Sequence, residues 1–211
     1  AYLNAQLDAD LDTEFSLLCA AAYYIAGNVG SATVIIRHMA APDLGLAGGL
    51  GQLVYNILKN SFFPIDGPHA HQAVTNQLLQ ALGGYFSFEA ETGDIAEVCR
   101  AFRGYFHRSG SPRELFYSDV VGALCALKLR NAARTILPTA SGMAPDIWRP
   151  ALAKPHFPIE LWPAQQRIAD AGVFAGRSVV IQMPTSAGKT RATEIIIRSA
   201  FLSGRAHLAV I

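Results

Sequence analysis

Apolar residues return every three or four positions from Leu3 to about Leu137, and segments in which apolar and polar residues alternate are almost absent. This spacing is typical of helices that bury one face. It predicts an all-α domain over residues 1–137, in which successive helices pack on one another. The predicted helices span residues 3–26, 31–42, 49–60, 69–88, 94–107 and 112–137.

Two of these helices begin with a capping signal. Asp94 precedes Glu97, and Ser111 precedes Glu114, at the spacing of a capping box. In such a box the first side chain accepts a hydrogen bond from the helix backbone, and the second accepts one from the N–H of the first residue. Pro112 also favours a helix start after Ser111, because proline fits the first helical position.

Proline marks the end of this helical region. Six of the eleven prolines lie between Pro138 and Pro163. A proline inside a helix removes a backbone donor and clashes with the preceding turn. We therefore predict a proline-rich connector over residues 138–162, without a continuous helix.

The pattern changes after the connector. It predicts a helix over residues 163–174, a buried strand over 178–182, a loop, a helix ending at Leu202, and a second strand over 206–211. This order is typical of the opening of a parallel α/β domain. Since two strands cannot bury both faces of a parallel sheet, we expect the domain over 163–211 to be incomplete in this chain. The predicted fold class is mainly α.

The composition excludes disorder and offers no overall attraction for polyanions. Hydrophobic residues make up 51% of the chain and charged residues 16%, with 17 basic and 16 acidic side chains and a formal charge of +1. A charge-poor surface of this kind favours contact with other proteins. Any contact with nucleic acid must come from a local basic patch.

The three cysteines form no C-x-x-C pair, which argues against a disulfide framework or a zinc ribbon and favours the reducing cytoplasm. The uncharged, glycine-rich run at residues 44–58 is too short to cross a bilayer, so we expect no membrane contact.

Residues 183–190 read M-P-T-S-A-G-K-T and lie between a predicted strand and a predicted helix. This is the context of a phosphate-binding loop. Gly188 allows the backbone to approach an anion, Lys189 places a positive charge near the β- and γ-phosphates, and the Thr190 hydroxyl is a ligand for Mg²⁺. Met183 stands where the general pattern has its first glycine. The alternative is an ordinary strand-to-helix turn with a solvated lysine.

The stretch L-W-P-A-Q-Q-R-I-A at residues 161–169, followed by M-P-T-S-A-G-K-T, resembles the Q-motif region and motif I of superfamily 2 DEAD/DExH-box helicases, especially the DExH branch. The resemblance covers about residues 157–211. It implies a RecA-like domain in which Gln165 reads the adenine of ATP and Thr190 serves the bound Mg²⁺. The residues that it implies around the phosphates are Thr185, Ser186, Ala187, Gly188, Lys189 and Thr190. For Gln165 the alternative is an ordinary polar residue on the first turn of a helix.

The resemblance implies the N-terminal part of an ATP-dependent helicase or translocase whose partner is DNA or RNA. After Thr190 the sole carboxylate is Glu194, placed within a helix. We therefore expect the chain to bind nucleotide without hydrolysing it, and we assign no catalytic residue to it. The alternative function is an α-helical protein-interaction module whose phosphate loop is structural or only binds nucleotide.

Two weaker signals lie in the helical region. His69 and His71 form an H-x-H pair, but no third metal ligand is evident. Residues 99–117 combine basic and aromatic side chains, which can bind phosphates and stack on bases. An amphipathic helix with its aromatic side chains in the core explains the same pattern. The side chains concerned are Arg100, Arg103, His107, Arg108 and Arg113, with Phe102, Tyr105, Phe106, Phe116 and Tyr117.

Overall fold

The structure is a computed structural model that describes residues 12–90, 92–184 and 187–205. These residues are mainly helical, which confirms the predicted fold class at that level. The helices are α1 (Thr13–Ile25), α2 (Val29–His38), α3 (Leu50–Lys59), α4 (Gln72–Phe86), α5 (Thr92–Ser109), α6 (Pro112–Arg130), α7 (Ala133–Ser141), α8 (Pro145–Leu152), α9 (Pro163–Asp170) and α10 (Lys189–Leu202), with a 3-10 turn (Leu46–Gly49) before α3.

The ends of several helices agree with the prediction to within four residues. These are α2, α3, α4 and α5. The part of the predicted first helix before Asp12 lies outside the described residues. The capping box at Ser111 is confirmed: the Ser111 N–H donates to Glu114 Oε2 at 2.7 Å, and the Glu114 N–H donates to Ser111 Oγ at 3.3 Å. The box predicted at Asp94 is wrong, because α5 begins at Thr92 and Asp94 lies inside its first turn.

The chain forms two compact units. Residues up to Leu127 belong to the first and residues from Lys128 to the second, so the boundary falls within α6. It precedes the predicted end of the helical domain at Leu137. The reason is that α7 and α8 contribute to the core of the second unit, where Leu137 and Trp148 are fully buried together with Ile195 of α10.

The first unit is a set of helices around an apolar core. Helix α1 packs against α2 and α3, and α4 packs against α3 and α5. Helix α3 shows why the periodicity was informative, since its apolar positions recur on one face and are fully buried. These positions are Leu50, Leu53, Val54 and Ile57.

The predicted helix over 112–137 is interrupted. Helix α6 ends at Arg130, and Ala132 forms an isolated antiparallel bridge with Glu160. The Leu161 N–H donates to Asn131 O, and the Ala133 N–H donates to Ile159 O, both at 2.8 Å. These backbone groups therefore serve a distant segment instead of continuing the helix, and α7 begins afresh at Ala133.

The proline-rich residues 138–162 belong to the fold of the second unit. Pro138 lies inside α7, and Pro145 opens α8 at the first helical position. The fully buried Trp148 donates from Nε1 to Ser141 Oγ at 2.9 Å, which ties α8 to the end of α7. As predicted, no continuous helix spans these residues, but Pro138 and Pro150 lie inside the helices and α7 ends at left-handed Gly142. Two short helices pack in its place.

Residues 178–182, predicted as a buried strand, form no strand in the described part of the chain. Val179, Val180 and Ile181 are 40%, 100% and 40% exposed. A strand completes its backbone hydrogen bonds only with a neighbouring strand. The predicted second strand, over 206–211, lies outside the described residues.

Among the helices that the structure describes, none combines the length and the apolar character needed to cross a membrane.

Candidate nucleotide-binding site

The start of α10 carries the central residues of the predicted phosphate loop. Gly188 is the N-cap in the left-handed conformation, with φ 82° and ψ 35°, and Lys189 and Thr190 are the first two helical residues. Both side chains are exposed, and the first turn holds no acidic residue. The first N–H groups of a helix have no intrahelical partner and carry a partial positive charge. This end of α10 is therefore suited to an anion.

The remaining loop residues are described in part. Thr185 and Ser186 lie outside the described residues. Ala187 is half-buried, and its N–H donates to Pro184 O at 3.2 Å. Met183, at the position of the missing glycine, packs partly against the core of the second unit. An apolar anchor thus precedes the loop where other phosphate loops have a glycine.

Gln165 is brought next to Gly188. Its side chain is buried, with the residue only 2% exposed. Oε1 accepts the Trp162 N–H at 2.9 Å, and Nε2 donates to Gly188 O at 3.4 Å. The side-chain amide therefore joins the beginning of α9 to the beginning of α10.

Local sequence explains the position of Gln165. Trp162 is the N-cap of α9, Pro163 is the first helical residue, and Gln165 is the third. From that third position a glutamine side chain reaches back to the N-cap N–H, as in the second half of a capping box. The sequence predicted the start of this helix and its polar third residue, but it placed the end at residue 174 where the helix ends at Asp170, and it did not predict the bond to Gly188.

Two features of the structure require a residue without a side chain at position 188. A Cβ atom there would lie 2.9 Å from Gln165 Nε2 and 3.5 Å from the Trp162 ring. The positive φ also disfavours any residue with a Cβ. The single glycine of the loop in the described residues is thus needed for its backbone conformation and for its contact with Gln165.

A buried ion pair that sequence analysis missed supports this site. Lys128 Nζ lies 2.7 Å from Glu160 Oε1, with side-chain exposures of 0% and 7%. The pair holds the segment just before Trp162, where Leu161 is also hydrogen-bonded to Asn131. No sequence pattern links a lysine in an apolar helix end to a glutamate 32 residues away.

Glu194 lies one turn beyond Thr190 on α10. It forms an exposed ion pair with Arg191 at 2.7 Å, with side-chain exposures of 43% and 48%. Its carboxylate is engaged on the outer face of the helix.

The basic and aromatic segment of α5 is amphipathic. Phe102 and Phe106 are buried in the first unit, whereas Arg100 and Arg103 are exposed. Arg103 pairs with Asp119 of α6 at 2.8 Å. The core explanation of the aromatic residues is confirmed for this helix. Further along, Arg113 pairs with Glu14.

The two imidazole rings of the H-x-H pair have different side-chain partners. His69 Nε2 lies 2.8 Å from Thr75 Oγ1, while His71 Nε2 donates to Glu114 Oε1 at 2.6 Å. Bonds from His71 first and then from the Ser111 backbone lower the pKa of Glu114 from its usual 4.5 to about 2. Among the described residues, no group of three metal-ligating side chains is present.

Two of the cysteines meet in the first unit although they are far apart in sequence. The Cys99 thiol is hydrogen-bonded to the thiol of Cys125, which lowers the pKa of Cys99. Cys125 is buried and Cys99 is half-buried. The antiparallel course of α5 and α6 explains the contact, since Arg103 and Asp119 also pair, about four and six residues nearer the connecting loop.

Comparison of the chain with protein-family models, with curated proteins and with solved structures finds no match.

Proposed function

We propose that the chain is the nucleotide-binding start of an ATP-dependent nucleic-acid helicase or translocase of superfamily 2, with residues 163–211 opening its first RecA-like domain. The observation that carries the proposal is the start of α10. Left-handed Gly188 is followed directly by exposed Lys189 and Thr190, in a turn without acidic residues. In the sequence, the order P-T-S-A-G-K-T agrees with this assignment.

In the proposed site, the N–H groups at the start of α10 bind the phosphates of ATP. Lys189 supplies a positive charge to the β- and γ-phosphates, and Thr190 contributes a hydroxyl ligand to the accompanying Mg²⁺. Thr185, Ser186 and Ala187 complete the loop in this proposal. Gly188 supports the role because a side chain there would displace the backbone that approaches the anion.

The proposal includes binding without hydrolysis by this chain. Glu194 is the carboxylate nearest to Thr190 along α10, and Arg191 already pairs with it. Nucleic acid is the proposed partner of the helicase core as a whole. We place the protein in the cytoplasm, where its three cysteine thiols would stay reduced.

Equilibrium binding of radiolabelled ATP with Mg²⁺ to the 211-residue chain tests the proposal. Lys189→Ala should weaken binding by about 10-fold or more, because hydrogen bonds to charged groups contribute about 1.5–3 kcal/mol. Lys154→Ala is the matched control, since Lys154 is an exposed lysine of the same unit. Absence of ATP binding, or equal affinity of the Lys189 variant, would refute the proposal.

A second candidate is an α-helical protein-interaction module. The first unit exposes large apolar side chains, with Phe15, Phe63 and Phe116 at 57%, 77% and 52%. Its arginines Arg103 and Arg113 are paired with carboxylates, which reduces the charge available to phosphates. Apolar side chains of this size on a surface are typical of a protein interface.

The salt dependence of single-stranded DNA and RNA binding separates the two candidates. The variant carries alanine at Arg100, Arg103 and Arg108. If the first unit docks a protein, the slope of affinity against salt stays unchanged. If it guides nucleic acid, the slope falls by about one for each phosphate that the variant no longer neutralises, and a decrease of two or more would reject the docking candidate.

A further inference from the structure

Reading a base requires a side-chain amide that is free to turn toward it. An amide of this kind has one acceptor oxygen and two N–H donors. In Gln165 the oxygen already accepts the Trp162 N–H, and the nitrogen already donates to Gly188 O. Only 2% of the residue is exposed. The group that should recognise adenine is therefore held in a contact between two helix starts.

The neighbouring glutamine is engaged as well. Gln166 Nε2 donates to Leu161 O at 2.7 Å, back along its own chain. Trp162 lies against Gly188 on the same side as the Gln165 amide. Both members of the Q-Q pair thus stabilise the path of the chain from Leu161 into α9.

We propose that Gln165 is a positioning residue that fastens Gly188 to the start of α9, and that the site selects nucleoside triphosphates by their phosphates and not by their base. This inference rests on the proposed nucleotide-binding function. It assigns a broader substrate class, the ribonucleoside triphosphates as a group.

The energetics favour this assignment. To face a base, the Gln165 amide would have to give up both of its bonds. Each such bond is equivalent to about a 2- to 12-fold change in an equilibrium. Turning the amide toward a base would also remove the Gln165 bonds to the N-cap N–H of α9 and to the Gly188 carbonyl. The phosphates, by contrast, meet N–H groups that α10 leaves free in any case.

The inference predicts that base identity has little effect on affinity. Competition against radiolabelled ATP by unlabelled ATP, GTP, CTP and UTP on the 211-residue chain should give affinities within about threefold of one another. Inorganic tripolyphosphate should compete too. Lys189→Ala should weaken all of these competitors.

Two variants at Gln165 separate its two bonds. Gln165→Glu retains an oxygen for the Trp162 N–H and removes the donor to Gly188 O, whereas Gln165→Ala removes both groups. Gln165→Glu should weaken all four nucleotides alike by about 2- to 12-fold, and Gln165→Ala should weaken them alike by a larger factor, so that both variants leave the ratios among the nucleotides unchanged. Gln80→Ala is the control, since Gln80 is an exposed glutamine of α4 in the first unit, and it should leave affinities as they are. Tryptophan fluorescence melts identify any variant that fails to fold. The relative affinities of the four nucleotides for the unsubstituted chain test the inference without any variant.

The outcomes distinguish this inference from the function on which it rests. A preference for ATP over GTP of about tenfold or more that disappears in Gln165→Ala would overturn the inference and leave the nucleotide site intact. Equal affinity of the Gln165 variants and the unsubstituted chain would overturn the positioning role. Absence of binding by every nucleotide would overturn the proposed function, and the inference with it.

Discussion

Replacing Lys128 by methionine removes the positive member of the buried ion pair that anchors the segment before α9. The Lys128 side chain is fully buried, and its Nζ lies 2.7 Å from Glu160 Oε1. Methionine retains an unbranched side chain of similar reach but carries no charge. Because Glu160 is only 6% exposed, its carboxylate would remain in a region with little access to water.

The expected loss in the free energy of unfolding is about 3–5 kcal/mol, since the buried carboxylate of Glu160 loses its ion pair with Lys128. A double variant, Lys128→Met with Glu160→Leu, should recover most of the stability. Apolar replacements of whole buried ion pairs are often neutral or stabilising.

Tryptophan fluorescence during urea unfolding measures this effect in the correct unit. Both tryptophans of the chain, Trp148 and Trp162, belong to the second unit. The fully buried Trp148 should report its unfolding directly. Lys154→Met is the matched control, because it makes the same substitution at an exposed position of that unit.

A stability of Lys128→Met within about 1 kcal/mol of the Lys154→Met control would refute the argument. That result would mean that the carboxylate of Glu160 finds water or another partner at little cost. Failure of the double variant to recover stability would show that the pair contributes geometry that apolar side chains cannot replace.

Three further predictions concern single contacts. Because the pKa of Glu114 is lowered to about 2 from its usual 4.5, its contribution to stability is complete above pH 4.5 and disappears as the pH falls toward 2, so acid titration by circular dichroism should lack this step in Glu114→Gln. Gly188→Ala should lower the free energy of unfolding, measured in fluorescence melts, by about 1–2 kcal/mol because of its positive φ, and by a further amount because the new Cβ clashes with Gln165. Gly142→Ala is the control, since Gly142 also has a positive φ but lies in open space. Cys125→Ala should raise the pKa of Cys99 and slow its alkylation by iodoacetamide about 2- to 10-fold by mass spectrometry; an unchanged rate would contradict the thiol contact.

The parts of the site that were predictable from sequence are those encoded within one turn of chain. Gly188 followed by Lys189 predicts the start of a helix, and α10 begins at Lys189. Ser111 and Glu114 likewise meet as a capping box because both lie in one turn. These contacts need no distant partner, so residue type and spacing are enough to predict them.

The parts that were not predictable depend on segments far apart in sequence. The break after Arg130 arises because Asn131 and Ala133 bond to residues near Glu160. Lys128 meets Glu160 through the same arrangement. Periodicity in residues 112–137 favours one helix, since it records which side chains are apolar and not which backbone groups find a partner elsewhere.

Residues 178–182, which precede the predicted phosphate loop, also depend on a partner that is distant in sequence. Val179, Val180 and Ile181 have the β-branched character of a strand, but a strand needs a neighbour to complete its hydrogen bonds, whereas α10 completes most of its own. In the described part of the chain, therefore, no sheet holds the loop from its N-terminal side. The contact that holds its other end is the bond from Gln165 to Gly188 O. If the proposed site binds ATP, a movement of Gly188 toward the phosphates would act on the start of α9 through this bond, because Gln165 joins the two helix starts.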